Sequence, residues 1–274
     1  MSPYLSLRFS LRWRVVLGAL VAVGLGLGAA ASPLLAEAVK DSRSLPAFDA
    51  LDNSDLDPIS ELPDLREKPA GPKRKAAFLA LLVPIVEAEN ARISAKRDWL
   101  LTLQERETPL DEGERQRLAE LCDDYRVACR GPDVDSRLLT RVATLPLEMV
   151  VIQAVEESGW GTSRFARQGN NLFGIRCFTS GCGLGQQGSG RRYQAFDSVQ
   201  GAVRAYLHNL NTHRAYERLR TRRAELVRQG AVTAEALIAT LDGYAVRADY
   251  RDALLSLLRT NSDLIRRHSS DDTA

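Results

Sequence analysis

Two adjacent carboxylates, Glu156 and Glu157, sit where an apolar run meets a glycine-rich break in "VIQAVEESGWGTSRFARQGNNLFGIRC", Val151 to Cys177. A carboxyl group placed there can give or take a proton, and the two positions differ in their surroundings. At about 100° per residue along a helix starting at Leu147, the residues Leu147, Val150, Val151, Ala154 and Val155 form one apolar face. Glu156 falls opposite that face and reads as a solvated charge. Glu157 lies on its edge, about 80° from the centre by the same rotation. Burial and the negative end of the helix both disfavour an ionised carboxyl at that position. That raises its pKa, as a general acid working near neutral pH requires. A cap or an ion pair, with Arg164 as partner, is the competing role for Glu157. Its neighbours favour chemistry on a sugar: Trp160 offers a ring to stack on, and Asn170 and Asn171 offer amides for hydroxyl and acetamido groups.

The elements that must position these residues are mostly helical. "AAFLALLVPIVEAENARISAKRDWLLTLQE" places Phe78, Leu82, Ile85, Ile93, Leu100 and Leu103 near one helical face, with Pro84 as a kink or restart. "PLDEGERQRLAELCDDYRV" predicts a second helix capped by Asp111. A short helix over Asp133 to Val142 follows, and the helix carrying the glutamates starts at Pro146 and stops at Gly159 and Gly161. A further turn or two runs between a Thr162 cap and Gly169. Six glycines between Gly174 and Gly190 predict a loop or short hairpin. Helices are expected again over Ser198–Thr212, Arg214–Arg228, Thr233–Leu241 and Tyr250–Arg259.

The ends of the chain read differently. Arg8, Arg12 and Arg14 precede the uncharged apolar run Val15 to Ala31, followed by small residues, which is the layout of an export signal. Extended to Ala36 the run is long enough to serve as an uncleaved anchor, with the arginines held in the cytoplasm. Either way the globular part is expected outside the cytoplasm. Four cysteines suit an oxidising compartment. Cys122 and Cys129 are seven apart and Cys177 and Cys182 five apart, so two local disulfides are favoured among three connectivities. Their spacing is not that of a zinc site, and His208 and His213, five apart, are not a helical metal pair. No metal and no cofactor are expected.

Lys40 to Pro72 carries eight acidic and four basic residues, a net −4, and five prolines between Pro46 and Pro72. No apolar period survives there, which predicts a disordered spacer. Arg191 to Gly230 holds nine arginines against three acids, a net +6. Arginines lining the solvated faces of helices are the favoured reading of that bias and an anionic partner is the competing one, and the chain carries no nucleic-acid motif.

With these residues in hand, "QAVEESGWGTSRFARQGNNLFGI" resembles the glucosaminidase domain of glycoside hydrolase family 73, marked by Glu-Ser-Gly-Trp-Gly followed by Asn-Leu-Phe-Gly. More narrowly, "CFTSGCG", "FDSVQGAVRAYLHNLNTHRAYERLRTRRAEL" and "LLVPIVEAENARI" resemble bacterial Bax-type proteins, over about Lys73 to Asn261. The resemblance implies a mainly α, lysozyme-like α+β fold with a small glycine-rich β-lobe, preceded by N-terminal helices. It implies hydrolysis of the β-1,4 bond between N-acetylglucosamine and N-acetylmuramic acid in peptidoglycan, by an exported protein, soluble in the periplasm or anchored to the inner membrane. The family's catalytic glutamate corresponds to Glu157, and its tyrosine in a Gly-Tyr-Ala segment to Tyr244 in "GYAVRADY". Substrate contacts are expected from Trp160, Asn170, Asn171, Phe173, Gly174 and Tyr193, with Phe178 and Tyr216 as further rim residues.

The expected partners are peptidoglycan glycan strands and, before or without signal cleavage, a membrane; no protein partner is implied. The expected segments are 1–38 as signal or anchor, 39–72 as spacer, 73–130 as an N-terminal helical region, 131–265 as the glucosaminidase domain and 266–274 as a disordered tail.

One departure from the family matters. Many members carry a second acid in the β-lobe, and between Gly174 and Phe196 this chain has none. Glycosidases usually work with paired carboxylates. Three routes remain: attack by the substrate's own acetamido group with Tyr244 orienting it, a distant base in Asp197 or Asp249, or glycan binding without turnover. The acetamido route is favoured. The rival functions are a lytic transglycosylase, which shares a lone glutamate acid, and a peptidoglycan-binding scaffold.

Overall fold

The computed structural model describes residues 57–241 and 249–270. The export signal or anchor, most of the spacer and Tyr244 lie outside them. Among the described residues no helix is long and apolar enough to cross a membrane.

Nine α-helices and a three-stranded sheet make up the described structure: α1 (Pro72–Glu105), α2 (Glu112–Asp124), α3 (Ser136–Arg141), α4 (Leu147–Ser158), α5 (Arg164–Gly169), β1 (Arg176–Cys177), β2 (Leu184–Gly185), β3 (Arg192–Tyr193), α6 (Val199–Thr212), α7 (Glu217–Gln229), α8 (Ala234–Ile238) and α9 (Tyr250–Arg266). This is the mainly α fold with a small β-lobe that the sequence predicts. The sheet has the order β1-β3-β2, both pairs antiparallel, with Tyr193 opposite Arg176 and Leu184.

The helix that carries the glutamates is the centre of the molecule. Met149 through Val155 are all buried in α4, which packs against α1, α8 and α9. A helix apolar all round must be enclosed on every side, and here α1, α8 and α9 supply that enclosure. Helix α1 runs unbroken through Pro84 rather than restarting there. Its first turn tolerates Pro72, where the missing N–H has no helical partner anyway. At α2, Asp111 and Glu114 form the reciprocal capping box, each side chain accepting from the other's backbone N–H. The cap of α5 is Ser163 rather than Thr162. Helix α9 runs seven residues beyond the expected Arg259 because Ile265 is buried on its inner side.

The chain's charged and proline-rich parts depart from expectation in three places. Residues 57–70, assigned to the disordered spacer, are anchored: Leu62 and Leu65 are buried in the core. Two apolar side chains in a proline-rich stretch leave no period to read, yet they suffice to seat it. Residues 266–270, assigned to the tail, include a buried Ser269 whose hydroxyl donates to Glu87 over 2.6 Å. The basic segment is not all solvated either. Arg223 is fully enclosed and donates to the backbone oxygens of Thr140, Ala143 and Thr144, and Arg220 to those of Leu210 and His213. Burial lowers the Arg223 pKa to about 9. Two disulfides, Cys122–Cys129 and Cys177–Cys182, are formed as the local pairing predicts. The first ties the end of α2 to the following turn, and the second closes the β-lobe loop.

Candidate active site

Glu157 occupies the last turn of α4, and the break after it is built to a tight geometry. Gly159, Trp160 and Gly161 take three successive left-handed conformations, with φ of 56°, 59° and 74°. Ser158 holds the turn: its hydroxyl accepts from the Gly161 N–H at 2.8 Å. At Gly161 the chain also passes close to the anchored spacer. A Cβ there would lie 3.0 Å from Leu65 and 3.1 Å from Phe78. The Gly-Trp-Gly sequence therefore serves packing as well as turning.

A series of hydrogen bonds leads from the core to Glu157. The Tyr206 hydroxyl of α6 donates to the amide oxygen of Gln153, one turn before Glu157 on α4. The Gln153 amide nitrogen donates to the Tyr250 hydroxyl at 3.4 Å, and that hydroxyl donates to Glu157 Oε1 at 2.9 Å. Gln153 and Tyr206 are fully buried and Tyr250 nearly so, while Glu157 is half-buried. Burial, reinforced by the negative Glu157, pushes the Tyr250 pKa well above the ordinary tyrosine value. Tyr250 therefore keeps its proton and remains a donor at any working pH. The polarity follows from the donor inventory. With Tyr206 donating into the Gln153 oxygen, only the NH2 end faces Tyr250. The Tyr250 oxygen accepts, and its single proton points at Oε1.

The other carboxylate oxygen faces the loop that the sequence singled out. Gly174 has φ 64°, and a Cβ on it would sit 3.1 Å from Glu157 Oε2. The backbone of Leu-Phe-Gly thus lies directly against the carboxyl group, which only glycine allows. Tyr216 also senses this charge: burial raises its pKa first, and Glu157 adds to that, against a hydrogen bond from Asn209 that lowers it.

Several residues expected to touch substrate have internal work instead. Asn170 is buried; its oxygen accepts from Leu62 N–H and its NH2 donates to the carbonyls of Ser60 and Phe196. Asn171 is buried and clamps the carbonyls of Ile175 and Gln194 while accepting from Ile175 N–H. Both amides are consumed by backbone, so they shape the lobe rather than meet a sugar. Phe173 is buried and stacked on Tyr206, with ring centroids 4.0 Å apart, bracing the hydrogen-bonded series from behind. Trp160 is half-buried, edge-on to Phe78, with the Lys75 ammonium 4.9 Å over its ring.

Tyr193 stacks on Phe165 at 4.2 Å. Phe178, by contrast, is 84% exposed at the tip of the disulfide-closed loop. Glu156 is half-buried and close enough to Tyr250 to raise its pKa slightly, so it is less solvated than its helical position predicts. Of the distant acids, Asp249 directly precedes Tyr250 as the N-cap residue of α9, whereas Asp197 is exposed just ahead of α6. His208 pairs with Asp124 and His213 caps a turn at Ala215, in separate surroundings.

Sequence reasoning missed Tyr250, Gln153 and Tyr206. One signal was present: Gln153 is a lone amide four residues before Glu157, on the same side of a helix otherwise apolar there.

This geometry is found on a chain whose relatives are known. A model of the glucosaminidase family, described as mannosyl-glycoprotein endo-beta-N-acetylglucosaminidase, matches residues 137–263. Protein bax of Escherichia coli (strain K12) is 40% identical over 214 residues, covering 76% of this chain and 77% of the relative. The chain belongs to the glucosaminidase family. It is accordingly a glycoside hydrolase by family, and the matched span holds all of Gln153, Glu157, Gly174, Tyr206 and Tyr250. Among solved structures, the catalytic domain of the autolysin Auto from Listeria monocytogenes is 16% identical with a TM-score of 0.38, covering 78% of this chain and all of that one.

Proposed function

We propose that this glucosaminidase-family chain is an exported endo-β-N-acetylglucosaminidase acting on peptidoglycan, with Glu157 as its general acid. The observation that carries the reading is the asymmetric seating of the Glu157 carboxyl group. Tyr250 donates to Oε1, so a proton delivered to the glycosidic oxygen resides on Oε2, the oxygen turned to the Gly174 loop. A protonated carboxyl next to a leaving oxygen supplies acid catalysis worth about 10² to 10⁴ in rate.

The chain has no acid between Gly174 and Phe196, so the anomeric carbon is attacked by the substrate's own acetamido oxygen. The bond to the leaving sugar breaks as Glu157 gives its proton to the glycosidic oxygen; water then opens the cyclic intermediate and its proton passes to the Glu157 carboxylate, restoring the acid. Tyr244 is the candidate for orienting the acetamido group, and Asp249 is the alternative base. The exposed Phe178 of the β-lobe fits a sugar-stacking role. Two disulfides and the signal-like N-terminus support action in the periplasm, released or held at the inner membrane.

Product chemistry tests this reading. Digestion of purified sacculi is expected to yield muropeptides with new reducing N-acetylglucosamine ends. Anhydromuramyl ends would instead mark a lytic transglycosylase, and glycan binding without any cleavage a scaffold.

A further inference from the structure

A highly charged concavity of the described structure lies between α1, α2 and α6. It is a groove of about 630 Å3. Five cationic side chains line it: Arg92, Lys96, Arg117, Arg204 and His208. Against them stand three carboxylates, Glu89, Glu120 and Asp124. Two of these are engaged within the groove wall. Glu89 takes Arg92 at 2.7 Å and Arg204 at 3.1 Å, and Asp124 takes His208 at 3.2 Å. The floor is apolar, with Ile93, Leu121 and Tyr125 buried beneath the charges. Such a surface fits a short segment that alternates carboxylates with apolar side chains.

The chain itself supplies one at the right place. The first described residues are pinned beside the groove by Gln200 of α6. Its amide donates to the Asp57 carbonyl at 3.0 Å and accepts from the Ile59 N–H at 3.0 Å, and the Val199 N–H donates to the Ile59 carbonyl at 2.9 Å. The next residues of α6, Gly201 and Arg204, already line the groove. Immediately upstream runs "LPAFDALDNSDL", residues 45–56, with Asp49, Asp52 and Asp55 and no basic residue. Phe48, Leu51 and Leu56 are interleaved with those acids.

Reach is ample. Gly201 to His208 spans about 10 Å of helix, and twelve residues can extend about 40 Å.

We propose that the groove between α1, α2 and α6 is the docking site of the chain's own acidic segment, residues 45–56. Its aspartates meet Lys96, Arg117 and Arg204, and its apolar side chains meet the floor of Ile93, Leu121 and Tyr125. The segment then straps the N-terminal helices α1 and α2 to α6. Because the contact is between partly exposed charges, it weakens as salt rises.

Zero-length carbodiimide cross-linking of the full chain, prepared as an equal mixture of unlabelled and 15N-labelled protein, tests the assignment. The expected product is an amide between Lys96 and Asp49, Asp52 or Asp55, within one isotopic species and lost in 1 M salt. Products that join the two isotopic species would make a second copy the occupant and overturn it. So would Lys96 linking only to Glu120 or Asp124.

Hydrogen exchange of the triple variant Asp49→Lys/Asp52→Lys/Asp55→Lys keeps the proposal testable where cross-linking yields are low. Exchange in α2 and along the groove side of α6 is expected to quicken about tenfold, the equivalent of one lost ion-pair network's worth of ~1.4 kcal/mol. Unchanged protection would overturn the docking.

Discussion

Two polar regions of this molecule are built on opposite plans. Around Glu157 the polar groups are mostly uncharged and buried, and they run in one direction: Tyr206 into Gln153, Gln153 into Tyr250, Tyr250 into Glu157. In the α1–α2–α6 groove the polar groups are charged: Arg204–Glu89 and His208–Asp124 cross it with at least one partner partly exposed, and Arg92–Glu89 is buried within the α1 wall. The first plan makes the two oxygens of the Glu157 carboxyl group unequal, with Tyr250 donating to Oε1 and the Gly174 backbone against Oε2. The second leaves charge accessible for recognition. A low-dielectric surrounding makes each hydrogen bond at the first site count for more, and an unpaired group there costs more. Of the pairs at the second, His208–Asp124 keeps both side chains partly exposed, and a pair of that kind is worth about 0–1 kcal/mol.

The largest effect belongs to the first region. Removing the acid with Glu157→Gln is expected to cut turnover of sacculi by about 10² to 10⁴, the range for a lost general acid. Next comes Tyr250→Phe, which keeps the ring and its burial while deleting the donor to Oε1. Loss of orientation is expected to lower kcat by about tenfold to a hundredfold. The pH profile gives the sharper reading. A hydrogen bond to the ionised carboxyl favours the ionised form, so deleting it raises the Glu157 pKa. The acid works only when protonated, and the alkaline limb of the profile therefore moves to higher pH. A shift to lower pH, or none, would break the assigned polarity.

A smaller effect tests the groove. Asp124 raises the His208 pKa, chiefly through the side-chain hydrogen bond, and His208 in turn lowers that of Asp124. A raised histidine pKa contributes stability that is full below its ordinary value of 6.5 and is lost as pH rises through the folded value. The depressed Asp124 contributes above its ordinary value of 3.8 and fails as pH falls through its folded one. Thermal melts across pH 6 to 8 are expected to show a decline in the native chain that is absent in His208→Ala. The smallest effect is on substrate affinity: Phe178→Ala is expected to raise KM about threefold to tenfold with kcat kept, as for one lost stacking contact of ~1 kcal/mol.

What could be read from the sequence follows the same division. The helix ends at Asp111 and Gly159 were legible because caps and glycine stops act locally, whereas the end of α9 was not, since burial of Ile265 extends it. Helical periodicity puts Glu157 at the edge of the buried face, where Tyr250 and Gly174 meet it, but it does not show that Glu156 is half-buried as well. The local disulfides were legible from spacing and compartment. Tyr250 was not, because its place against Glu157 depends on α9 packing on α4, which no local rule contains. Asn170 and Asn171 were read as sugar ligands because an amide's type does not reveal whether backbone or solvent faces it. Arg223 likewise looked solvated, and only the fold shows the three carbonyls that enclose it. Leu62 and Leu65 were hidden by prolines, and their anchoring becomes visible only in the close approach at Gly161.

The central claim is that one carboxyl of the Glu156–Glu157 doublet does the chemistry. Release of muropeptides from purified sacculi by Glu157→Gln and Glu156→Gln, side by side with the unaltered chain, tests it most directly. The account predicts that Glu157→Gln loses release by about a hundredfold or more while Glu156→Gln, which leaves the Tyr250–Glu157 hydrogen bond in place, stays within about threefold. Equal release by Glu157→Gln and the unaltered chain, or a larger loss in Glu156→Gln, would contradict it.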